Sequence, residues 1–310
     1  GGWGRVGGGG GRGGGARGAP HAGQAAPREH LVRRGVLTAA ESVVGRAAMP
    51  GRFALFTSGR RLIEIAFDGA VTERRLDASD VELWGLGAAP DGSLWALAGR
   101  DTLVEVAPGR PRRRIPLDGA YAGVHTGPGF LLYQPYDFRV GSPALLRGGP
   151  DVVGTPAGQL KVAGGAGRRV TVWMKSLVQC GFVLNRQVPC WPAGTAIVDV
   201  IDDGGAGRIV ALAGLAPRLD LSAEVFAERG RPVLQDAALD GAGRLWVLAA
   251  DPGAPARDGR GVRDLWQFTL SGTRVWHHRL ATAVRMLMVA GPDRILAISS
   301  EGHLVRLEVR

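Results

Sequence analysis

A short alternating element recurs along the chain and constrains its fold more than any other feature. Each clear copy has two apolar residues, one polar residue and another apolar residue, so that the polar side chain of an extended segment points away from its neighbours. The copies lie at 62–65, 103–106, 197–200, 265–268 and 304–307, with a degenerate copy at 144–147. Repetition of one strand-like unit predicts an all-β repeat architecture.

Each copy belongs to a larger unit of four strands. A strand opened by a tight turn precedes the copy, as in 90–98, and a corner with a polar strand follows it, as at Asp68 and Gly69. Asp-Gly and Gly-rich corners supply the positive φ that hairpin turns need. Four antiparallel strands in roughly 40 residues form the blade of a β-propeller, so six copies predict six blades.

The segment 207–214 leaves a second blade count open. If it is the second strand of a unit, there are seven blades, whereas if it is the outer strand that follows 197–200, there are six. We favour six blades, because the count of seven leaves the fourth blade without an outer strand.

The final blade lacks an outer strand of its own, because the sequence stops directly after the copy at 304–307. The strand-like segment 29–37 precedes the first blade and is free to supply that strand. Its pairing with the last blade would cover an open sheet edge. We therefore expect residues 29–310 to form a single propeller domain closed by the strand 29–37.

Residues 1–28 differ in composition from the rest of the chain. Thirteen of the first 24 residues are glycine, and there is no periodic apolar pattern that could bury enough surface to offset the ordering entropy. We expect a disordered Gly/Arg-rich tail. The tail is similar to RGG-type RNA-binding segments in composition only, so a role in RNA association is the least favoured functional hypothesis and a flexible linker is the favoured interpretation.

The net charge of +10 raises the question of nucleic-acid binding. Residues 1–34 contain six arginines and one glutamate, which is half of that net charge. Lys161 and Lys175 are the only lysines among 38 basic residues, which indicates a compositional bias rather than a selected basic surface. Nucleic acid is therefore a disfavoured partner, and no apolar run reaches the ~20 residues that a transmembrane helix needs.

With these blades the chain resembles bacterial six-bladed β-propellers of the NHL-repeat and gluconolactonase-like kind. The segments 90–98, 240–248, 265–280 and 291–310 carry the resemblance, which covers residues 29–310. It implies a propeller architecture that serves binding modules as well as lactonases and lyases.

The gluconolactonase-like branch holds a channel metal through a glutamate, an aspartate and asparagines, but Asn185 is the only asparagine here and falls in an insertion. The streptogramin-lyase-like branch uses channel histidines with a glutamate, whereas only His125 falls on a predicted inner strand.

Four polar residues are candidates for a site in the central channel: His125, Asp236, Glu82 and Arg285. A histidine with two carboxylates could bind a divalent metal or exchange protons with a substrate. Alternatively, these side chains hydrogen-bond to water and to neighbouring blades. We favour the second interpretation, because no spacing rule joins the four residues. We accordingly assign no catalytic residue and no cofactor, and a channel metal belongs only to the alternative hypothesis of a hydrolase or lyase.

Cys180 and Cys190 lie in one insertion and are the only cysteines of the chain. They predict a local disulfide, which would stabilise the fold by ~2–3 kcal/mol on a chain-entropy estimate. Such a bridge indicates an oxidising compartment, so we expect an extracytoplasmic protein, periplasmic or secreted. Two free thiols are the alternative.

Long connections lie at 133–143, 176–194, 215–231 and 251–263, and the blade assignment puts all four at one face. Long loops on one side of a rigid scaffold are common sites of function, and aromatic and arginine side chains often anchor partners. The candidate binding residues are Tyr133, Tyr136, Phe138, Arg139, Trp191, Arg260 and Arg263. We therefore favour a non-enzymatic module that binds a protein or a carbohydrate, with neutral growth of the loops as the alternative.

Overall fold

Every element of the chain is a strand over the residues that the computed structural model describes. These residues are 26–76, 83–88, 92–99, 101–106, 113–117, 123–127, 129–135, 151–155, 160–165, 168–174, 179–183, 186–192, 194–202, 207–216, 222, 233–250, 261–291 and 294–309. Within them no helix is long and apolar enough to cross a membrane. The predicted all-β class is confirmed.

An edge strand and a four-stranded antiparallel sheet begin the described chain. The edge strand is β1 (Arg28–Arg33), and the sheet contains β2 (Val43–Met49), β3 (Arg52–Thr57), β4 (Arg61–Ala66) and β5 (Val71–Arg75) in chain order. Pro50 and Gly51 alone connect β2 to β3. The turn is this tight because proline presets its own φ, and because Gly51 adopts a φ of 73°, which the third position of a type II turn requires.

The next sheets repeat this plan with two departures. The second sheet contains β6 (Leu83–Ala88), β7 (Leu94–Ala98), β8 (Thr102–Glu105) and β9 (Arg114–Pro116). The third contains β10 (Gly123–Gly127), β11 (Gly129–Pro135) and β12 (Asp151–Thr155). The fourth contains β13 (Leu160–Gly165), β14 (Arg168–Met174), β17 (Ala196–Asp202) and β18 (Gly207–Ala211), and a separate hairpin of β15 (Gln179–Val183) and β16 (Arg186–Trp191) interrupts it.

The C-terminal strands form one seven-stranded sheet with β1. In chain order they are β19 (Val233–Leu239), β20 (Leu245–Ala250), β21 (Val262–Phe268), β22 (Arg274–Gly291), β23 (Arg294–Ser299) and β24 (Leu304–Glu308). The first part of β22 pairs with β21 and its second part pairs with β23, so one long strand serves two successive antiparallel units. The sheet ends with β1, which runs antiparallel to β24.

The third sheet differs from the sequence expectation. The predicted alternating strand at 144–147 lies outside the described residues, and β12 pairs with β11 in a parallel register with Leu131 opposite Asp151. A parallel pair needs a crossover connection of about a dozen residues or more, and the segment 136–150 between these strands is long enough to provide one.

The strand expected at 29–37 begins at Arg28 and ends earlier, at Arg33. The chain leaves the sheet at Gly35, whose φ of 61° is a left-handed conformation that no regular strand contains. Val36 and Leu37 are then buried against β3, β4, β23 and β24. The N-terminal segment therefore joins the last sheet to the first through both backbone pairing and side-chain burial.

The sheets follow one another around an axis. The first strands of successive units are neighbours, in the order β2, β6, β10, β13, β19 and the second part of β22. The apolar cores lie between neighbouring units, as where β3 and β4 face β23 and β24. Trp246, Trp266 and Phe268 have almost no exposed surface, and burial of each stabilises the fold by roughly 2–3 kcal/mol.

Candidate functional site

Three backbone hydrogen bonds define one face of the molecule. In each, a leucine that comes after an outer strand donates its amide to a carbonyl in the turn before a third strand. The pairs are Leu37 with Gly302 at 3.0 Å, Leu76 with Arg60 at 2.9 Å, and Leu117 with Asp101 at 2.7 Å. The turns between second and third strands therefore lie at the same end of the sheets as the connections to the next unit. We call this end the loop face.

Some of the candidate binding residues lie within the described chain and others lie outside it. Trp191 is half-buried at the end of β16, Arg263 is half-buried in β21, and Tyr133 lies on the β11 backbone, opposite Gly123. The remaining candidates, Tyr136, Phe138, Arg139 and Arg260, lie outside the described residues. Their role in binding stays a prediction.

The hairpin of β15 and β16 is the most elaborate described feature of the loop face. It lies between β14 and β17 in the chain, which is the connection from a second to a third strand. It forms a two-stranded sheet of its own, with Gln179 opposite Trp191 and Val183 opposite Arg186. Cys190 is exposed and takes part in a disulfide, and Cys180 is the only other cysteine in the sequence.

At the inner edge, Asp236 belongs to a cluster that joins three units. Its carboxylate accepts a hydrogen bond from the Arg46 guanidinium and another from the Leu287 amide, the latter over 2.8 Å. Arg46 also donates to the carbonyl oxygens of Leu287 and Ala237, over 2.9 and 2.8 Å. Because Arg46 lies on β2, Asp236 on β19 and Leu287 on β22, this cluster ties the first unit to the last two.

Arg46 is the partner that the sequence prediction missed. It is the only charged residue in the β2 sequence VVGRAAM, whose other residues are small or apolar. A lone charge on an inner strand indicates a buried partner, because an unpaired charge is costly to bury. That signal predicts a carboxylate partner for Arg46 on another inner strand, and the structure identifies this partner as Asp236.

Arg285 is a second channel candidate whose side-chain contacts the structure describes. Arg285 donates to the main-chain carbonyl of Glu41 over 3.3 Å, and its own carbonyl accepts from Gln235 over 3.2 Å. These contacts tie β22 to β19 and to the segment before β2. His125 lies on the β10 backbone, and Glu82 lies outside the described residues. Within the described residues, no three or more acidic, histidine or cysteine side chains lie close enough together to hold a metal ion.

The inner strands are crowded on the side of the first three units. A Cβ on Gly45 would lie 2.2 Å from the carbonyl carbon of Gly85, so the backbones of β2 and β6 touch where both residues are glycine. The Cα traces of β2 and β10 also approach within 8 Å of each other. Close packing of backbones leaves little space for a ligand between these strands.

A second charged cluster, also missed from the sequence, lies at the loop face around Glu41. Its carboxylate accepts hydrogen bonds from the Thr38 amide over 3.0 Å, from the Thr57 hydroxyl over 2.8 Å and from Arg61, which also contacts Glu73. Burial alone would raise the pKa of Glu41, but the hydrogen bonds and the Arg61 charge together lower it below its ordinary value. The cluster joins the segment after β1 to the first sheet.

Comparison with known proteins identifies the fold. No protein family model and no curated protein matches the sequence. Among solved structures, a gluconolactonase from Xanthomonas campestris superposes with a TM-score of 0.52 at 14% identity, covering 92% of this chain and 90% of the other. Virginiamycin B lyase from Staphylococcus aureus gives a TM-score of 0.47 at 12% identity, over 91% and 98% of the two chains. YCF48 bound to a D1 peptide gives 0.47 at 13% identity, over 93% and 96%.

These solved proteins are β-propellers, and the gluconolactonase match supports the same architecture for this chain. The predicted resemblance to gluconolactonase-like propellers is therefore confirmed at the level of architecture. At 14% identity the gluconolactonase match shows the fold alone, and this fold does not select between catalysis and binding. The chain folds as a β-propeller.

Proposed function

We propose that this β-propeller is a binding module that captures a protein or carbohydrate partner at its loop face and has no catalytic site in its channel. The observation that carries the proposal is the inserted hairpin of β15 and β16. It extends the loop face, belongs to none of the propeller sheets and ends in the half-buried aromatic side chain of Trp191. Large aromatic residues on elements that project from a rigid scaffold are frequent anchors in interfaces.

The contacts of Asp236 also favour binding over channel catalysis. A general acid or base must have a carboxylate oxygen available to exchange a proton with substrate. Asp236 is 5% exposed and contacts both the Arg46 guanidinium and the Leu287 amide. These contacts suit a structural tie between blades and leave this carboxylate poorly placed for chemistry.

A count of six blades, with residues 29–310 as one domain, is part of the proposal. The six neighbouring first strands, which are β2, β6, β10, β13, β19 and the second part of β22, support this count. So does β18, which contains the start of the ambiguous segment 207–214 and pairs with β17 as the outermost strand of its sheet. In this arrangement β1 is the outer strand of the last blade.

We propose an extracytoplasmic location for the protein. The support is the disulfide of Cys190, because disulfides persist mainly in oxidising compartments. Under this proposal residues 1–28, which we predict to form a disordered tail, take no part in partner binding.

A capture experiment with matched variants tests the function. Immobilised wild-type protein is probed against a glycan array and against purified extracytoplasmic proteins of the source organism, and each hit is titrated against Trp191→Ala and Tyr136→Ala. We expect both variants to lose binding, while Ile115→Ala, an exposed apolar change on outer strand β9, retains it. A stoichiometric divalent metal in the purified protein, with catalysis abolished by His125→Ala, would instead support the enzyme.

A further inference from the structure

The hairpin of β15 and β16 is a two-stranded element, and its strand β16 lies next to outer strand β18. A two-stranded hairpin is at best marginally stable in water, and this one is hydrogen-bonded to no other sheet in the described chain. Pro189 removes one backbone donor from the middle of β16. The pairing also changes register between Gln179 and Gly181, which marks a β-bulge.

The disulfide lies where this ladder is weakest. Cys190 directly follows Pro189, and the register places these two residues opposite Cys180, between the pairs Gln179–Trp191 and Gly181–Val188. Because the chain has no third cysteine, the disulfide of Cys190 ties β16 to β15. The covalent bond therefore adds to the backbone pairing of the hairpin at the point where its register shifts.

Cys190 is also open to reagents, because it is exposed at the loop face. A thiolate can attack a disulfide only where it can reach one of the two sulfurs, so exposed bridges react first. By contrast, the cores between the blades are formed by buried residues of the propeller sheets, such as Trp246 and Trp266. Opening of the bridge should release the hairpin and leave the blades intact.

We propose that the Cys180–Cys190 bridge is a redox switch that orders the loop face. A dithiol reductant of the thioredoxin class attacks the Cys190 sulfur as a thiolate, the S–S bond breaks, and Cys180 leaves as a thiolate that takes up a proton. The second thiol of the reductant then attacks the mixed disulfide and releases Cys190. The bridge gains two electrons and two protons, and the reductant becomes a disulfide. The effect of this switch on partner binding rests on the proposed function.

Trypsin provides a readout that needs no partner, because Arg186 lies at the start of β16 in the hairpin. Folded full-length protein is digested with and without prior treatment with dithiothreitol under native conditions, and cleavage at Arg186 is followed by mass spectrometry. We expect reduction to raise the cleavage rate roughly 10- to 100-fold, as expected when loss of a short-loop bridge frees a local segment. The melting temperature should change by less than about 3 °C, because loss of the bridge is expected to open the hairpin locally and to leave global unfolding of the blades unchanged.

Two variants control the experiment. Cys180→Ser/Cys190→Ser should be cleaved at the fast rate with or without dithiothreitol, and Arg186→Gln should remove the reporting cleavage. An unchanged rate after reduction, a bridge that resists dithiothreitol in the folded protein, or simultaneous cleavage throughout the blades would each overturn the switch. If the cleavage result holds but partner binding is indifferent to reduction, the hairpin opens as inferred and its proposed role in partner binding fails.

Discussion

The seven-stranded sheet and the β15–β16 hairpin are stabilised by different means. The sheet has seven paired strands, fully buried aromatic residues and a buried carboxylate, Asp236, that is paired with Arg46. The hairpin has two strands, a bulge, an internal proline and an exposed half-cystine at Cys190. Burial and hydrogen bonding hold the sheet, whereas the hairpin combines a short backbone ladder with a covalent bond.

This difference separates the residues that maintain the fold from those available to a partner. Polar groups of the framework, such as Glu41 and Asp236, already contact side chains and backbone amides of neighbouring blades. Trp191 instead lies on the hairpin, which forms a two-stranded sheet of its own. We therefore expect changes in the framework to lower stability and changes in the hairpin to alter binding.

The largest loss should follow removal of β1. A chain that begins at Thr38 loses the strand paired with β24 and also the buried side chains of Val36 and Leu37. Loss of two buried apolar side chains and of one strand should destabilise the domain by at least ~4 kcal/mol, which lowers the melting temperature by roughly 10 °C or more. Thermal unfolding followed by circular dichroism measures this loss.

A chain that begins at Ala26 is the matched control, because it retains all of β1. It should melt at the wild-type temperature. If both truncations melt with the full-length protein, the N-terminal strand does not support the propeller and the closure argument fails.

The next largest effect should come from Asp236→Ala. Removal of one partner from a mostly buried ion pair leaves the Arg46 guanidinium without its carboxylate and should cost about 3 kcal/mol in urea unfolding. The double variant Arg46→Met/Asp236→Leu should recover much of that loss, because apolar side chains of similar size remove the unpaired charge. If the single variant unfolds like wild type, the cluster does not tie the blades together.

A smaller, pH-dependent effect should come from Glu41→Gln. The folded-state pKa of Glu41 is lowered, so its ionised form stabilises the fold at pH values above the ordinary glutamate pKa of about 4.3, and this contribution disappears as the pH falls through the folded value. We expect Glu41→Gln to cost about 1–2 kcal/mol at neutral pH and progressively less as the pH falls below about 4.3. A difference between the two proteins that is constant from pH 3 to 7 would contradict this role of the charge.

The repeat of alternating segments was sufficient to predict the propeller, because period-two patterns and Asp-Gly corners specify strands and hairpins locally. Thus 62–65, 103–106, 265–268 and 304–307 all lie in or at the end of third strands next to a second strand. The parallel pairing of β11 with β12 was not predictable in this way, because it depends on a long connection whose path no local pattern specifies.

The candidate site was less predictable than the fold. Asp236 was noticed as a polar inner residue, but its partner Arg46 is 190 positions away in sequence, and local spacing says nothing about contacts across the ring. The Glu41 cluster was missed for the same reason, since Thr57 and Arg61 approach it only after the first sheet has formed. The sequence indicates the hairpin of β15 and β16 only as an insertion with two cysteines, and its strand pairing was not predicted.

The most direct test of the account compares one hairpin side chain with one channel side chain in the same binding assay. A partner identified by capture is titrated calorimetrically against wild type, Trp191→Ala and His125→Ala, with melting temperatures recorded for all three. Truncation of an aromatic anchor typically costs ~2 kcal/mol or more, so we expect Trp191→Ala to weaken binding by at least about 30-fold with an unchanged melting temperature, and His125→Ala to bind like wild type. Loss of binding in His125→Ala with full binding in Trp191→Ala would contradict the account and return the function to the channel.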